Sequence, residues 1–441
     1  MTQVRFLVIG AGPTGVGAAA RLVELGEDHL VVDSADRVGG AAASVIDDAG
    51  FTWDLGGHVI HSHFAAFDDA VASSGVALNR VERAGRVFID GCLVPAPIQQ
   101  QLDALPADLR PEAPAANLAE YYRNCFGDEL YRRFFAPFNR KMWTAPLELV
   151  DHDWTSLRSG SAAPNVPALG LARDFVPARE TFPYPVGGTG ALWQGIAERL
   201  LDPHRLRLGA RVVSVDVPRR RAVLDDGQAV DYEFCISSAP VTAAAAWAGR
   251  PDLTAGLRAS RVLAVGLGFD GVPPEPLAAA TWIYSPDADV PWYRLTVLSN
   301  YDQGLAGSGR WSVLGEVPLF PGEEVDVRAA VEATVGSVAR LAGASVAPVS
   351  TWTRKLSTGY PVPTLGRDVA LRAIDELLSA HGFFSRGRFG GWRYESCNQD
   401  YAYQQGRDAV DAALGGAAED AYWRPERFRA TELNPPVPAA G

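Results

Sequence analysis

The N-terminal segment shows a regular change of hydrophobic pattern. Residues 4–9 form an apolar, β-branched run that predicts a strand, and residues 10–15 form a glycine turn. Residues 16–25 are rich in alanine and lack proline, so they predict a helix, and the apolar residues 30–32 predict a second strand. This order of strand, tight turn, helix and strand is typical of a β-α-β unit.

The rest of the chain divides by pattern into helical and sheet regions. Residues 102–141 are rich in alanine, leucine and charge and predict a helical subdomain. Residues 160–182 carry proline, alanine and glycine without periodicity, so they predict a long loop, either a lid or an inert packed segment. Short alternating runs within residues 205–237 and 261–317 predict sheets, and residues 380–415 return to glycine turns followed by a helix.

Composition and charge exclude several classes of protein. The chain is 47% hydrophobic and 21% charged, which suits a globular protein with a large core. Acidic residues number 52 against 40 basic ones, so the net charge is −12 and the chain lacks the positive field that nucleic acid or anionic lipid requires. Any phosphate site must therefore be local. Only Lys141 and Lys355 are lysines, and arginine can bind phosphate oxygens in pairs.

Cysteine usage and the N-terminus bear on location. The four cysteines are too far apart in sequence to form a metal or redox pair, which argues against a zinc site and against a disulfide framework. The longest uncharged stretch, residues 181–197, contains prolines and glycines and is excluded as a membrane helix. Residues 4–9 predict a first strand and not a signal peptide. A cytoplasmic protein with no nucleic-acid or membrane partner is expected, and the oligomeric state stays open.

The first glycine turn carries a dinucleotide-binding pattern. Gly10, Gly12 and Gly15 permit a tight turn and a close backbone approach, and the following helix N-terminus can face a pyrophosphate. Asp33 ends the second strand about 20 residues later, the spacing at which a carboxylate accepts hydrogen bonds from ribose hydroxyls. A tight turn in another α/β unit is the alternative, but the strand, helix and acidic residue are all in register.

Further glycine pairs indicate which dinucleotide is bound. Gly39–Gly40 and Gly56–Gly57 come within the first sixty residues, and residues 389–392 add a third pair. Repeated glycines let the backbone press against a large flat cofactor from several sides, which FAD requires and a nicotinamide cofactor does not. The pattern resembles the flavoprotein group that includes amine oxidases, phytoene desaturases and sugar mutases, and this resemblance implies FAD.

Six separated motifs narrow the resemblance to the eukaryotic-type UDP-galactopyranose mutases. They are residues 137–146, 187–193, 282–286, 291–294, 359–363 and 385–395, with the match running from about residue 5 to 415. The resemblance implies interconversion of UDP-galactopyranose and UDP-galactofuranose with no net redox change. It also implies reduced FAD as the nucleophile, with NADPH or NADH as the reductant. The chain itself shows no recognisable serine or cysteine nucleophile motif.

A set of arginines and tyrosines from separate segments suits a diphosphate. Arginine supplies charge-assisted paired bonds and phenols supply neutral donors. Taken alone, each tyrosine is more often a half-buried core residue. The resemblance implies instead that they contact the diphosphate or the galactose; the residues are Tyr284, Arg294, Tyr360, Arg388 and Tyr394.

The resemblance also assigns roles to further residues. Catalytic roles fall to Arg388, Arg294, Asn398 and His58, the last on a mobile loop beside the flavin. Additional substrate-binding residues are Arg158, Asn139, Trp143, Trp282 and Gln99. FAD-binding residues are Gly10, Gly12, Gly15, Asp33, Gly39, Gly40, Gly56, Gly57, Val213, Gln399 and Asp400.

One departure from the family pattern affects the nucleotide. The family has Val-Pro-Tyr-Pro-Phe-Gln at the uridine end, whereas residues 94–99 here are Val-Pro-Ala-Pro-Ile-Gln. Ala96 thus replaces the tyrosine that lies against the uracil, and losing a stacked ring costs about 1–3 kcal/mol. A mutase for a different nucleotide sugar is therefore one alternative, and an amine oxidase or desaturase-type flavin oxidoreductase is another.

The predicted fold class is α/β. A Rossmann-like FAD-binding domain of the glutathione-reductase-like type carries an inserted helical subdomain and an antiparallel β-sheet substrate domain. The predicted divisions are 1–90, 183–250 and 356–420 for FAD binding, 91–182 for the helical subdomain with its lid loop, 251–355 for the substrate sheet and 421–441 for the tail.

Overall fold

The computed structural model describes residues 2–96, 98, 113–154, 181–416, 418–428, 431 and 433. Arg158, Gln99 and nearly all of the predicted lid loop lie outside the described residues. The strands are β1 Thr2–Ile9, β2 His29–Val32, β3 Ser44–Ile46, β4 Thr52–Asp54, β5 Leu78–Glu82, β6 Gly85–Ile89, β7 Cys92–Pro95, β8 Thr181–Pro185, β9 Leu206–Arg207, β10 Val212–Asp216, β11 Arg221–Leu224, β12 Ala229–Ser237, β13 Arg258–Ala259, β14 Val262–Asp270, β15 Trp282–Tyr284, β16 Arg294–Thr296, β17 Arg310–Pro318, β18 Ser350–Leu356, β19 Pro361–Val362 and β20 Phe383–Ser385. The α-helices are α1 Pro13–Leu25, α2 Ala65–Ser73, α3 Leu118–Leu130, α4 Ala136–Trp143, α5 Thr189–Leu200, α6 Val241–Trp247, α7 Glu275–Ala278, α8 Val327–Ala342, α9 Arg367–Ser379, α10 Gly387–Gly390, α11 Gln399–Ala413 and α12 Asp420–Trp423.

The first large sheet is the predicted Rossmann-like layer. Its order is β10-β11-β12-β1-β2-β9, with β20 also paired to β12, and β1 runs parallel to both of its neighbours. The central strand β1 is apolar because both faces are covered; Phe6, Leu7 and Val8 are all fully buried. Helices α1 and α11 pack along each other on this layer, so the C-terminal part of the chain completes the N-terminal domain. The predicted α/β fold is confirmed.

The second large sheet is mostly antiparallel. Its order is β18-β14-β17-β16-β15-β6-β7, and only the β15–β6 pair is parallel. Strands β6 and β7 belong to this sheet, although the sequence-based divisions assign them to the FAD-binding domain and the helical subdomain. The predicted domain boundaries differ from the structure because β6 pairs with β15, about two hundred positions away in the chain. The local hydrophobic pattern carries no information on such long-range pairing.

A helical segment closes one side of the second sheet. α3 continues through a π-helical turn, Tyr131–Phe135, into α4. Aromatic side chains from these helices form one cluster with the sheet; Phe138 packs edge to face against Tyr284 at a ring distance of 5.4 Å. In the described part of the chain, no helix has both the length and the apolar character needed to cross a membrane.

Candidate active site

A cavity of about 540 Å³ lies between the two large sheets. Segments that follow β4, β12 and β20 form one side of it, and the second sheet forms the other. Twelve of the predicted site residues line it: Gly40, Gly56, Gly57, His58, Trp282, Tyr284, Arg294, Tyr360, Arg388, Tyr394, Asn398 and Gln399. Among the described lining residues, five side chains are cationic and one, Glu316, is acidic, so the cavity is locally positive in an acidic chain.

Strand register places the polar groups of the second sheet in a row. Tyr284 on β15 lies opposite Arg294 on β16, and Arg294 lies opposite Glu316 on β17. Ala264 on β14 separates Glu316 from Arg354 on β18. Directly opposed residues share one face of a sheet at about 5 Å spacing, so the row presents a phenol and two guanidinium groups to the cavity.

Arg294 is held by hydrogen bonds to groups on two sides. Its Nη2 donates to the Glu316 carboxylate at 2.9 Å and to the Tyr360 hydroxyl at 3.3 Å, and its Nε also donates to Glu316. Burial alone would lower the pKa of Arg294, but the Glu316 carboxylate more than offsets this, so the pKa lies well above its ordinary value. The guanidinium is therefore charged and fixed in direction before any ligand binds.

The second glycine pair lies directly against this arginine. A Cβ added at Gly57 would come within 2.5 Å of the Thr296 hydroxyl and 3.2 Å of the Arg294 guanidinium carbon. Only glycine fits that contact at position 57, whereas a Cβ added at Gly56 would meet no atom closer than 3.6 Å. His58 follows it and lines the cavity; its Nδ1 is 3.9 Å from Asp54 and makes no hydrogen bond within the described part of the chain.

Arg388 is the second cation at the centre of the cavity. It lies on α10 just after β20, with its guanidinium carbon 4.6 Å from the centre of the Tyr360 ring, a cation–π contact. Its Nε donates a long hydrogen bond of 3.4 Å to the Gly359 carbonyl. Within the described residues Arg388 forms no ion pair with a carboxylate, so its charge is available to an anionic ligand.

Tyr394 is supported from behind by tryptophans. Its ring contacts Trp143 at 4.9 Å and Trp154 at 5.3 Å, both edge to face. The Trp143 indole donates to the Asn139 amide oxygen, and the Asn139 amide nitrogen donates to a backbone carbonyl of α3–α4. Asn139 and Trp143 are thus fully buried one layer behind the cavity, and their direct contact with substrate stays a prediction.

The dinucleotide turn fits a cofactor pyrophosphate and ribose. Gly12 is the N-cap of helix α1 and gives no side-chain cap, and the first turn of the helix holds no acidic residue, so neither neutralises the positive end of the helix dipole. The Asp33 carboxylate accepts hydrogen bonds from the backbone of Ala11 and Ala35, at 2.6 and 2.7 Å. It is therefore fixed at the carboxyl edge of β1 and β2, where it retains lone pairs for ribose hydroxyls.

The start of α11 fits the ring end of a flavin. The residue Gln399 lines the cavity, and its amide oxygen accepts from Trp193 at 2.6 Å. Its buried amide nitrogen has no partner among the described residues. Such an orphaned donor suits a carbonyl or ring nitrogen of the flavin. Asn398 occupies the N-cap position but its side chain does not cap the helix, which leaves it directed to other partners.

Seven of the eleven predicted FAD-binding residues do not line the cavity. Gly10, Gly12, Gly15, Asp33 and Gly39 lie at the dinucleotide turn, whereas Asp400 and Val213 lie elsewhere. Asp400 is fully buried and bonded to His63 at 2.7 Å. Val213 lies on the outer strand β10 of the first sheet with 52% of its surface exposed. Contact of either residue with FAD stays a prediction.

A buried carboxylate next to Tyr394 yields a stability prediction. Burial alone would raise the pKa of Glu395, but Arg367 and Arg393 lower it to about 2. The stabilisation is therefore present above the unfolded pKa of about 4.3 and is lost as pH falls through about 2. Glu395→Gln should lower the free energy of unfolding at pH 7 by about 1–3 kcal/mol, measured by denaturant unfolding, because the two buried guanidinium groups lose one carboxylate and keep only the half-exposed Asp368.

A surface pair provides the control for this prediction. Glu332→Gln removes an exposed helix pair with Arg328 and should change stability by about 0.5 kcal/mol or less. Equal effects of the two substitutions would contradict the assigned role of Glu395.

Several residues that line the cavity were not predicted from the sequence, chiefly Arg83, Glu316 and Arg354. Glu316 had a usable signal, because it is a single carboxylate in the otherwise uncharged interior of β17. Arg83 lies between Phe182 and Trp282, with its guanidinium 5.5 Å from each ring centre, and its Nε has no partner among the residues that the structure describes. Its isolation from carboxylates in the described structure makes it a further candidate for binding an anionic group.

Comparisons with known proteins show which family the chain belongs to. A model of NAD(P)-binding Rossmann-like domains matches residues 8–70, and a model of flavin containing amine oxidoreductases matches residues 76–414. The fold and site therefore define a flavoprotein of the amine oxidase-like class, and its cofactor is FAD. A crystal structure of a reduced UDP-galactopyranose mutase superposes with a TM-score of 0.86 at 31% identity, covering 97% of each chain. The chain belongs to the UDP-galactopyranose mutase family.

More distant structures share the fold alone. Wild-type putrescine oxidase bound to putrescine has a TM-score of 0.65 at 16% identity, covering 94% of this chain and 99% of that one. Cyclohexylamine oxidase from Brevibacterium oxydans IH-35A has a TM-score of 0.64 at 16% identity, covering 93% and 99%. The resemblance and the FAD cofactor predicted from sequence are confirmed.

Proposed function

We propose that this protein is an isomerase that interconverts the pyranose and furanose forms of UDP-galactose while FAD is reduced. The convergence of Tyr284, Arg294, Tyr360, Arg388 and Tyr394 on one cavity carries the proposal. An amine oxidase binds its substrate in an apolar or aromatic channel and has no use for two fixed guanidinium groups flanked by phenols.

The residues of the chain bind and orient the substrate in this proposal. Reduced FAD would supply the nucleophile that attacks the anomeric carbon. Arg294 and the hydroxyls of Tyr284 and Tyr360 would hold the diphosphate through charge-assisted and neutral hydrogen bonds as it leaves and returns. Arg388 and Asn398 would keep the sugar over the cofactor.

Turnover with defined substrates tests the proposal. Enzyme reduced with dithionite, or with NADPH or NADH, is incubated with UDP-, TDP- and GDP-sugars, and furanose and pyranose products are separated chromatographically. We expect isomerisation of UDP-galactofuranose by the reduced enzyme, none by the oxidised enzyme, and no stoichiometric consumption of reductant. Oxygen-dependent hydrogen peroxide formation from an amine, without sugar isomerisation, would assign the chain to the oxidases.

Ala96 offers a test of nucleotide recognition. It lines the cavity 3.4 Å from the position of a Cβ added at Gly85, beside Trp282, and leaves space where the family has tyrosine. If the nucleotide is UDP, Ala96→Tyr should tighten UDP binding by roughly tenfold to a hundredfold, since a stacked ring contributes about 1–3 kcal/mol. Titration of UDP by calorimetry measures this.

A second nucleotide completes the experiment. GDP titrated in parallel shows whether the space favours a larger base. Tighter binding of GDP than UDP by the unmodified protein, reversed by Ala96→Tyr, would assign a different nucleotide sugar to the site.

A further inference from the structure

One of the two lysines in the chain lies under the loop that joins two substrate-site strands. Lys141 is on α4, and its ammonium is directed into residues 285–293, between β15 and β16. The Nζ atom lies 2.6 Å from the carbonyl oxygen of Asp287 and 2.8 Å from that of Val290. The carbonyl oxygens of Ser285 and Trp292 lie at 3.4 Å each. Three N–H donors thus meet four backbone acceptors of a single loop.

The chemistry of the contact requires lysine. An ammonium is a compact charge with three rotatable donors, whereas the planar fork of arginine directs its donors outward in one plane. The chain uses arginine at nearly all its basic positions, so lysine here is an exception. Burial lowers the pKa of Lys141 to about 8, while the carboxylates of Asp287 and Asp289 act in the opposite direction. The ammonium form therefore predominates at neutral pH.

The same face of α4 contacts residues at both ends of the loop. Phe138, one turn before Lys141, packs edge to face on Tyr284 at 5.4 Å and on Tyr293 at 6.5 Å. Residues three apart on a helix lie on one face, so Phe138 packs on the last residue of β15 and the last residue of the loop, while Lys141 binds the loop carbonyls between them. Tyr284 is the last residue of β15 and Arg294 the first of β16, so the loop directly joins the two proposed diphosphate ligands.

We propose that Lys141 is a positioning residue of the diphosphate site. Its ammonium binds the carbonyl oxygens of residues 285–292 and thereby keeps Tyr284 and Arg294 opposite one another before the substrate arrives. A buried ammonium raises the free energy of the folded protein unless its N–H donors are hydrogen-bonded. Opening of the loop would remove these hydrogen bonds and is therefore unfavourable as long as Lys141 is charged. This inference rests on the proposed function, because that function identifies the ligand as a diphosphate. The contact between Lys141 and the loop is independent of the proposed function.

Three variants separate the positioning role from general stability. Lys141→Met keeps the stem and removes all donors, and Lys141→Gln is the second variant in case the first does not fold. Arg340→Ala is the matched control, because Arg340 binds the carboxylate and the carbonyl of Asp289 from the outer side of the same loop and lies outside the cavity. Hydrogen exchange of residues 285–293, UDP affinity, KM, kcat and FAD content are measured for each.

We expect the Lys141 variants to bind substrate more weakly while the rate of the chemical step changes little. Lys141→Met and Lys141→Gln should raise exchange in residues 285–293 at least about fivefold, and should weaken UDP binding and raise KM about tenfold. They should change kcat less than threefold and leave one FAD per chain; Arg340→Ala should stay within twofold of wild type in every measurement.

Loop exchange and UDP affinity within twofold of wild type in both Lys141 variants would overturn the inference. A wild-type protein that neither binds UDP nor isomerises its sugar would overturn the proposed function instead, and loop exchange would then decide the role of Lys141 alone.

Discussion

Replacing Arg294 with alanine should lower kcat/KM for the nucleotide sugar by roughly 30- to 5,000-fold. The substitution removes charge-assisted hydrogen bonds to the diphosphate in a buried setting, which costs about 2–5 kcal/mol. The guanidinium is already fixed by Glu316 and Tyr360, so no other cation can take its place without reorganisation. Steady-state kinetics with the reduced enzyme measure the loss, and the flavin absorbance should remain that of the wild type.

A second variant separates loss of the ligand contact from damage to the fold. Arg294→Ala leaves the Glu316 carboxylate buried without its partner, which itself destabilises the protein. The double substitution Arg294→Met with Glu316→Gln removes both charges, so it should recover thermal stability without recovering turnover. Near-normal turnover in either variant would contradict the diphosphate role of Arg294.

Gly15→Ala should abolish stoichiometric FAD binding. A Cβ at this position would lie 1.7 Å from the Gly10 carbonyl oxygen, far inside van der Waals contact, and the clash involves backbone on both sides. The clash can be relieved only if the turn that carries Gly10 and Gly12 moves away from β1. This movement would disrupt the pyrophosphate-binding position at the N-terminus of α1. The ratio of flavin absorbance to protein measures the loss.

Gly336→Ala on α8 is the matched control. An added Cβ there meets no atom within 4 Å, and alanine in a helix interior is favoured over glycine by about 0.5–1 kcal/mol. The control should bind one FAD per chain and unfold at a slightly higher temperature than the wild type. A Gly15→Ala protein with full flavin content would show that the turn can move without losing the cofactor.

The dinucleotide unit was predictable because its signals are local. The strand, turn and helix of residues 2–25 follow from apolar runs, glycines and an alanine-rich helix, each effective over a few residues. Asp33 was located by a fixed spacing within the same unit and lies at the expected strand end. The other predicted residues that line the cavity depended on resemblance, since nothing local brings Tyr284, Tyr360 and Arg388 together.

The positions of residues that pack behind or beside the cavity were not predictable from local sequence signals. Trp143 and Asn139 carry polar groups that suit a ligand, yet these groups are bonded to the protein and buried. Glu316 and Arg83 were missed because neither belongs to a local motif. Whether a polar side chain faces a cavity or a neighbour depends on contacts between distant segments.

The sequence alone determined the α/β class, the dinucleotide turn, the FAD cofactor and the family. These depend on short-range periodicity, glycine spacing and the order of motifs. Only the tertiary structure decided that Tyr284, Arg294, Glu316 and Arg354 form one row, since cross-strand register is set by pairing between segments far apart in the chain. The same long-range packing concentrates five cations around one cavity in a chain whose net charge is −12.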